Sequence, residues 1–245
     1  MRRLELLSVD GLPEVRPGDD LGGLIAARAS LEPGDVVVVA QKVVSKSEGR
    51  LVELVSVTAS EEAVEIASRL VAKPDPRMVQ VVLDESVRVL RSERVLITET
   101  RHGFVCANGG VDQSNVLGSE TVSLLPLDPD ASASRLRSEL RRRSGADVGV
   151  IVADTFGRPW RQGIVNVALG VAGLEAVLDL RGTVDDAGKR LHATVIAVAD
   201  ELAAAAGLVM GKTGRTPVVI ARGFVASASG TGRDLIRPAS EDLFR

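Results

Sequence analysis

The sequence predicts an α+β fold built on a mixed β-sheet with surrounding helices, and three observations predict it. Runs of strand character alternate with amphipathic or Ala-rich stretches, but irregularly. Hairpin-like turns such as Asp185-Asp186-Ala187-Gly188 break the alternation, which a regular doubly wound fold would keep. The chain is 45% apolar with four Phe, one Trp and no Tyr, so 245 residues predict a large aliphatic core of Val, Leu, Ala and Ile, as one big domain or two interlocked smaller ones.

Taken in order, residues 4–9 read as a strand, followed by a turn at Gly11-Leu12-Pro13. Asp20 caps a helix to about Ser30, closed by Glu32-Pro33-Gly34. Residues 36–40 are a continuous apolar run, a buried strand that empties into a loop carrying Gln41, Lys42 and Lys46. Thr58 and Glu61 form a capping box for a helix ending near Lys73-Pro74. A helix over 76–90 follows, then strands at 94–98 and 103–107 and the turn Asn108-Gly109-Gly110. Residues 132–143 form an amphipathic helix with Gly145 just past its end. Strands are expected at 148–153, 191–199 and 217–221, a helix at 201–206, and a Gly- and Ser-richer surface stretch from 227 to 245. With no internal repeat and no low-complexity linker, one domain over 1–245 is expected, with a weak subdivision near 100–125.

Thirty basic and 33 acidic side chains leave a net charge of −3, which argues against nucleic acid or a membrane surface as partner. Cys106, the single cysteine, excludes an intrachain disulfide and a Cys-rich zinc site, and a packed thiol is expected. The first residues lack a signal-peptide apolar region, and no segment reaches transmembrane length. A soluble, reducing, cytoplasmic setting is the expectation.

Three constellations can carry chemistry. Lysines in the loop after residues 36–40 suit phosphate as point charges, or are solvated surface residues. In residues 107–115, glycines allow close anion approach, Asp112 offers a hard oxygen ligand, and Asn115 can bond a nucleotide; an ordinary Asn/Gly/Asp turn fits as well. In VGVIVADTFGRPWRQG, residues 148–163, an apolar run ends in Asp154 and Thr155, with Arg158 and Arg161 close behind. A carboxylate and a hydroxyl at a strand end beside fixed positive charge suit a metal-bound phosphate; an Asp turn is the plainer reading. Trp160 is expected to cover the core. The P-loop-like stretch 206–213 has its helix before it and its strand after it, the reverse of a true P-loop. His102 and His192 lack metal-ligand spacing, and solvated or packed side chains are expected for both.

Read together, GLPEVRPGDDL (11–21), GDVVVVAQKVVSKSEGRLV (34–52), ITETRHGFVCANGGVDQSNV (97–116), VADTFGRPWRQGIVNVALGVAGL (152–174), RGTVDDAG (181–188) and VADELAAAAGLVMGK (198–212) resemble the coenzyme F420-0:L-glutamate ligase family over nearly the whole chain. The resemblance implies a mixed α+β fold in an intertwined homodimer. It implies a GTP-dependent ligase joining L-glutamate to deazaflavin coenzyme F420-0, alone or with further gamma-linked glutamates, with Mg²⁺ or Mn²⁺ as cofactor. It implies an acyl-phosphate intermediate, with release of GDP and phosphate. By position it assigns Asp112, Asp154 and Thr155 to the metal, and Leu12, Pro13, Glu14, Val15, Gln41, Lys46 and Asn115 to GTP. Lys46, Arg158 and Arg161 are candidates for offsetting phosphate charge, and no catalytic base is identified. Two departures matter. Lys212 stands where some relatives place an amide or acidic metal ligand, so a second metal is held differently or partly replaced by fixed charge. The sequence also ends at Arg245 without the flavin-dependent reductase domain into which some actinobacterial relatives continue, so a stand-alone ligase or an excised domain is expected. Alternatives are a metal-dependent nucleotide phosphohydrolase and a non-catalytic nucleotide- or deazaflavin-binding protein.

Overall fold

The computed structural model describes residues 3–113, 120–224 and 229–242. It is α+β, as expected, and its centre is a mixed five-stranded sheet. Strand β1 (Glu5–Ser8) lies at one edge and pairs antiparallel with β12 (Val218–Arg222). Then come β2 (Val36–Ala40), parallel to β8 (Gly149–Arg158), and β9 (Arg161–Ala172), antiparallel to β8 at the far edge.

The central strands read as unbroken apolar runs because both sheet faces are covered. Val37, Val39, Val150, Val152, Val218 and Ile220 face one layer, formed by α1 (Leu21–Ala26) and α5 (Pro129–Ser144). Val36, Val38, Ile151, Val219 and Ala221 face the other, formed by α6 (Val198–Met210). Alternation along each strand thus serves two cores at once. Where β9 meets α5 the backbones nearly touch: a Cβ on Gly170 would lie 2.0 Å from the Pro129 carbonyl oxygen. Asp130 locks this junction, its Oδ1 accepting from the amides of Val171 (2.8 Å) and Gly232 (2.6 Å).

The long crossover from β2 to β8 encloses a third core. It runs through α2 (Gln41–Ser47), β3 (Leu51–Glu53), α3 (Glu61–Arg69), α4 (Pro76–Asp84), β4 (Ser86–Arg91), β5 (Ile97–Thr100), β6 (Val105–Ala107) and β7 (Thr121–Ser123). β3 pairs with β7, and β4, β5 and β6 form a small sheet. Leu54, Ile66, Val79, Val82, Leu96 and Val122 pack beneath them. A short ladder of β10 (Leu178–Asp179) with β11 (Val195–Ile196) precedes α6.

Several expectations are corrected. Residues 41–47 are helix α2, not a loop. Ser60, not Thr58, caps α3, accepting from the Ala63 amide at 3.2 Å, and α3 ends at Arg69. The helix expected over 76–90 stops at Asp84, because 86–91 is claimed by pairing with β5. The first helix ends at Ala26 rather than near Ser30. Within 191–199 only Val195–Ile196 is strand, and α6 starts at Val198. Strand β8 does not end at Ala153 but runs to Arg158, turning through Pro159-Trp160 into β9, which the sequence reading lacked. Trp160 is 83% exposed at that hairpin end and covers no core.

Candidate functional site

Ala40 of β2 stands opposite Ala153 of β8, so α2 and the outer half of β8 leave the sheet edge side by side. Because α2 starts immediately after the last strand residue, Gln41 and Lys42 occupy its first turn, one register step from Asp154. Asp154 and Thr155 are partly buried strand residues opposite Val167 and Asn166.

Asp112 arrives from the crossover. The tight turn at 108–110 redirects the chain, and Gly110 packs so closely that a Cβ would lie 2.6 Å from Leu125 Cγ. These glycines therefore serve the turn and its packing. Asp112 is pinned by its own backbone, its amide donating to Ser123 O (3.0 Å) and its carbonyl accepting from the Ser123 amide (2.8 Å). Its Oδ2 accepts from Lys42 Nζ at 2.7 Å. From the other side Lys212, just past α6, donates to Thr155 Oγ1, and that hydroxyl donates to Asn166 Oδ1 at 2.9 Å.

Electrostatics tie these groups into one cluster. Burial pushes the Asp154 carboxyl up to about 6 and the neighbouring Asp112 charge adds to the rise, while the Thr155 amide, Lys42 and Lys212 oppose it. Cys106 on β6 feels the same carboxylate: burial first, then Asp154, pushes its thiol up to about 12. It is a packed, protonated thiol, not a nucleophile.

The structure sets Asp112 close enough to Asp154 for their charges to interact, with Thr155 next along β8, but does not bring the two arginines to them. Arg158 and Arg161 face each other across the exposed hairpin end, and Arg158 Nη2 donates to Gln162 O at 3.0 Å. At ~3.4 Å per strand residue, Arg158 sits roughly 14 Å along β8 from Asp154. Lys46 is 6% exposed and bonds Glu14 Oε1. Leu12 and Val15 pack on the core, while Pro13 and Glu14 stay exposed. Gln41 is 1% exposed; its Oε1 accepts from Ser45 Oγ at 2.7 Å, and its Nε2 is buried with no partner among the described residues. Asn115 lies outside the described residues. In 206–213, α6 runs through Met210, so no strand–loop–helix cradle forms there.

The donor set fits a hard divalent cation. Two mutually repelling carboxylates and a hydroxyl are the oxygen ligands that Mg²⁺ or Mn²⁺ takes. Among the described residues no three His, Cys, Asp or Glu gather where they could hold one ion. Sequence reasoning did not place Asn166 in the cluster, because β9 carries no turn dipeptide of the Asn-Gly kind ahead of it.

A family model described as F420-0:Gamma-glutamyl ligase matches residues 11–223. The chain is 42% identical over 248 residues to the coenzyme F420:L-glutamate ligase of Methanocaldococcus jannaschii, covering 100% of this chain and 98% of that protein. It is 45% identical over 255 residues to the enzyme of the same name from Methanopyrus kandleri, with both chains covered in full (100%). With the Halobacterium salinarum protein of that name the identity is 46% over 247 residues, covering 99% and 96% of the two chains.

Proposed function

The chain belongs to the F420-0:gamma-glutamyl ligase family, and on that premise we propose that it is a GTP-dependent ligase joining L-glutamate to coenzyme F420-0 through an amide bond. The observation that carries this reading is the convergence of Asp112, Asp154 and Thr155 with two lysines at one sheet edge. A carboxylate is a poor acyl donor at neutral pH, so amide formation needs an activated acid. The acceptor carboxylate oxygen attacks the γ-phosphorus of GTP, the bond to the β-phosphate oxygen breaks, and GDP leaves. The glutamate amine then attacks the acyl-phosphate carbon, phosphate departs, and the amine proton passes to solvent.

A divalent cation held by Asp112, Asp154 and Thr155 would neutralise phosphate charge. Lys42 adds a point charge beside it. Leu12, Pro13, Glu14, Val15, Gln41, Lys46 and Asn115 are assigned to GTP. Supporting this, the buried Gln41 Nε2 is a donor with no partner among the described residues, and the Glu14–Lys46 pair holds a buried ammonium in place. We also assign a homodimer. Trp160 and Ile164, 83% and 62% exposed on the β8–β9 hairpin, are large apolar side chains that a second copy would cover.

Incubation with GTP, Mn²⁺ or Mg²⁺, L-glutamate and coenzyme F420-0, followed by mass spectrometry, tests the reading. Products heavier by one or more glutamyl units are expected, and their number reads out chain length. GDP release at the same rate without glutamate and acceptor would instead mark a phosphohydrolase.

A further inference from the structure

Two ammonium groups from distant elements neutralise the acidic pair. Lys42 in α2 bonds Asp112, and Lys212, past the end of α6, bonds Thr155 and lies near enough to Asp154 to act on its charge. Counted formally, Asp112 and Asp154 carry two negative charges and Lys42 and Lys212 two positive ones. Their ligand atoms are also engaged: Asp112 Oδ2 accepts from Lys42, and Thr155 Oγ1 accepts from Lys212 while donating to Asn166. A dication entering alone must displace these ammonium groups and leave the cluster with excess positive charge. A triphosphate reverses the balance, because its oxygens accept the displaced groups. Lys212 is exposed, and its flexible four-carbon stem lets the charge move while the backbone stays.

We propose that Lys212 is a further nucleotide-binding residue of this site, resting on Thr155 as counter-ion of the acidic pair and passing to the phosphate oxygens when the nucleotide binds. The assignment rests on the GTP reading above. It makes cation and nucleotide binding mutually reinforcing, and by linkage each tightens the other by the same factor.

Lys212→Met separates the two roles, because removing one positive charge favours a cation and disfavours an anion. Mn²⁺ binding without nucleotide, followed by electron paramagnetic resonance of free Mn²⁺, is expected to tighten about tenfold, a change of one nearby charge. GTP binding with Mn²⁺ present, followed by calorimetry, is expected to weaken by a similar factor. Lys212→Arg keeps the charge and is expected to keep GTP binding within a few-fold of wild type. Thermal melting checks that the variants fold, as the exposed side chain leads us to expect. If wild type binds GTP and Lys212→Met leaves both affinities unchanged, or moves them in the same direction, this assignment is overturned alone. If wild type binds no GTP, the nucleotide reading falls and takes this assignment with it.

Discussion

Arg222 grips Asp35 with two parallel hydrogen bonds, Nε to Oδ1 at 2.9 Å and Nη2 to Oδ2 at 2.8 Å, and the Asp35 side chain is only 1% exposed. The pair ties the end of β12 to the start of β2, the strand whose other end delivers Gln41 and Lys42 to the site. Asp35→Ala would leave a guanidinium without its buried partner. Glu32 and the Ser30 carbonyl still hold that guanidinium, so we expect a partial loss of stability, read as a lower denaturant midpoint. Replacing both residues with apolar ones of similar size should cost less, since no charge is then stranded.

Asp154→Asn should leave the fold intact, since the amide keeps the shape and gives up a carboxylate strained by burial and by Asp112. Turnover should fall by more than the roughly 100-fold seen when a group supporting a metal ligand is lost. Circular dichroism matching wild type, with ligase activity also matching, would remove Asp154 from the cation site.

Cation binding should depend on pH through the same carboxyl. With its pKa near 6, Asp154 is protonated below that value and a proton excludes the cation; Mn²⁺ affinity therefore rises through about pH 6 and levels above it. The metal-free fold behaves oppositely. A folded pKa raised above the unfolded value of about 3.9 gives stability that is full below the unfolded pKa and is lost as pH rises through the folded one. Melting curves of metal-free wild type between pH 4 and 7 should fall relative to Asp154→Asn.

Gly170→Ala tests the junction of β9 with α5. The added methyl would meet the Pro129 carbonyl at 2.0 Å, and backbone, unlike a side-chain tip, cannot step aside cheaply. A loss of about 2 kcal/mol or more is expected.

Trp160→Glu combined with Ile164→Glu replaces the two exposed apolar side chains of the hairpin with charge. Light scattering should show the assigned dimer dissociating while far-ultraviolet circular dichroism stays unchanged. A dimer surviving both changes would move the interface elsewhere.

Much of the scaffold is legible without coordinates. Residues 36–40 appear in the sequence as an apolar run because both faces of β2 are buried, so no polar residue marks either side. Asp20 and Gly145 mark helix ends because capping is local chemistry: Asp20 Oδ1 accepts from the Gly23 amide at 2.8 Å, and Gly145 takes φ 74. The failures are non-local. Residues 86–91 extend a plausible helix until β5 pairs with them, and 161–172 become a strand only by hydrogen bonding to β8.

The same division runs through the site. Residue chemistry alone determined that Asp112, Asp154 and Thr155 are hard oxygen donors, and the pattern around them identified the family. Only the tertiary structure decided which cations accompany them. The arginines a few positions after Asp154 are carried off along β8, while Lys42 reaches Asp112 across 70 positions and Lys212 reaches Thr155 across 57. A donor's type belongs to its residue, but an electrostatic neighbour is set by distance in space, and a strand separates sequence neighbours faster than a fold separates strangers.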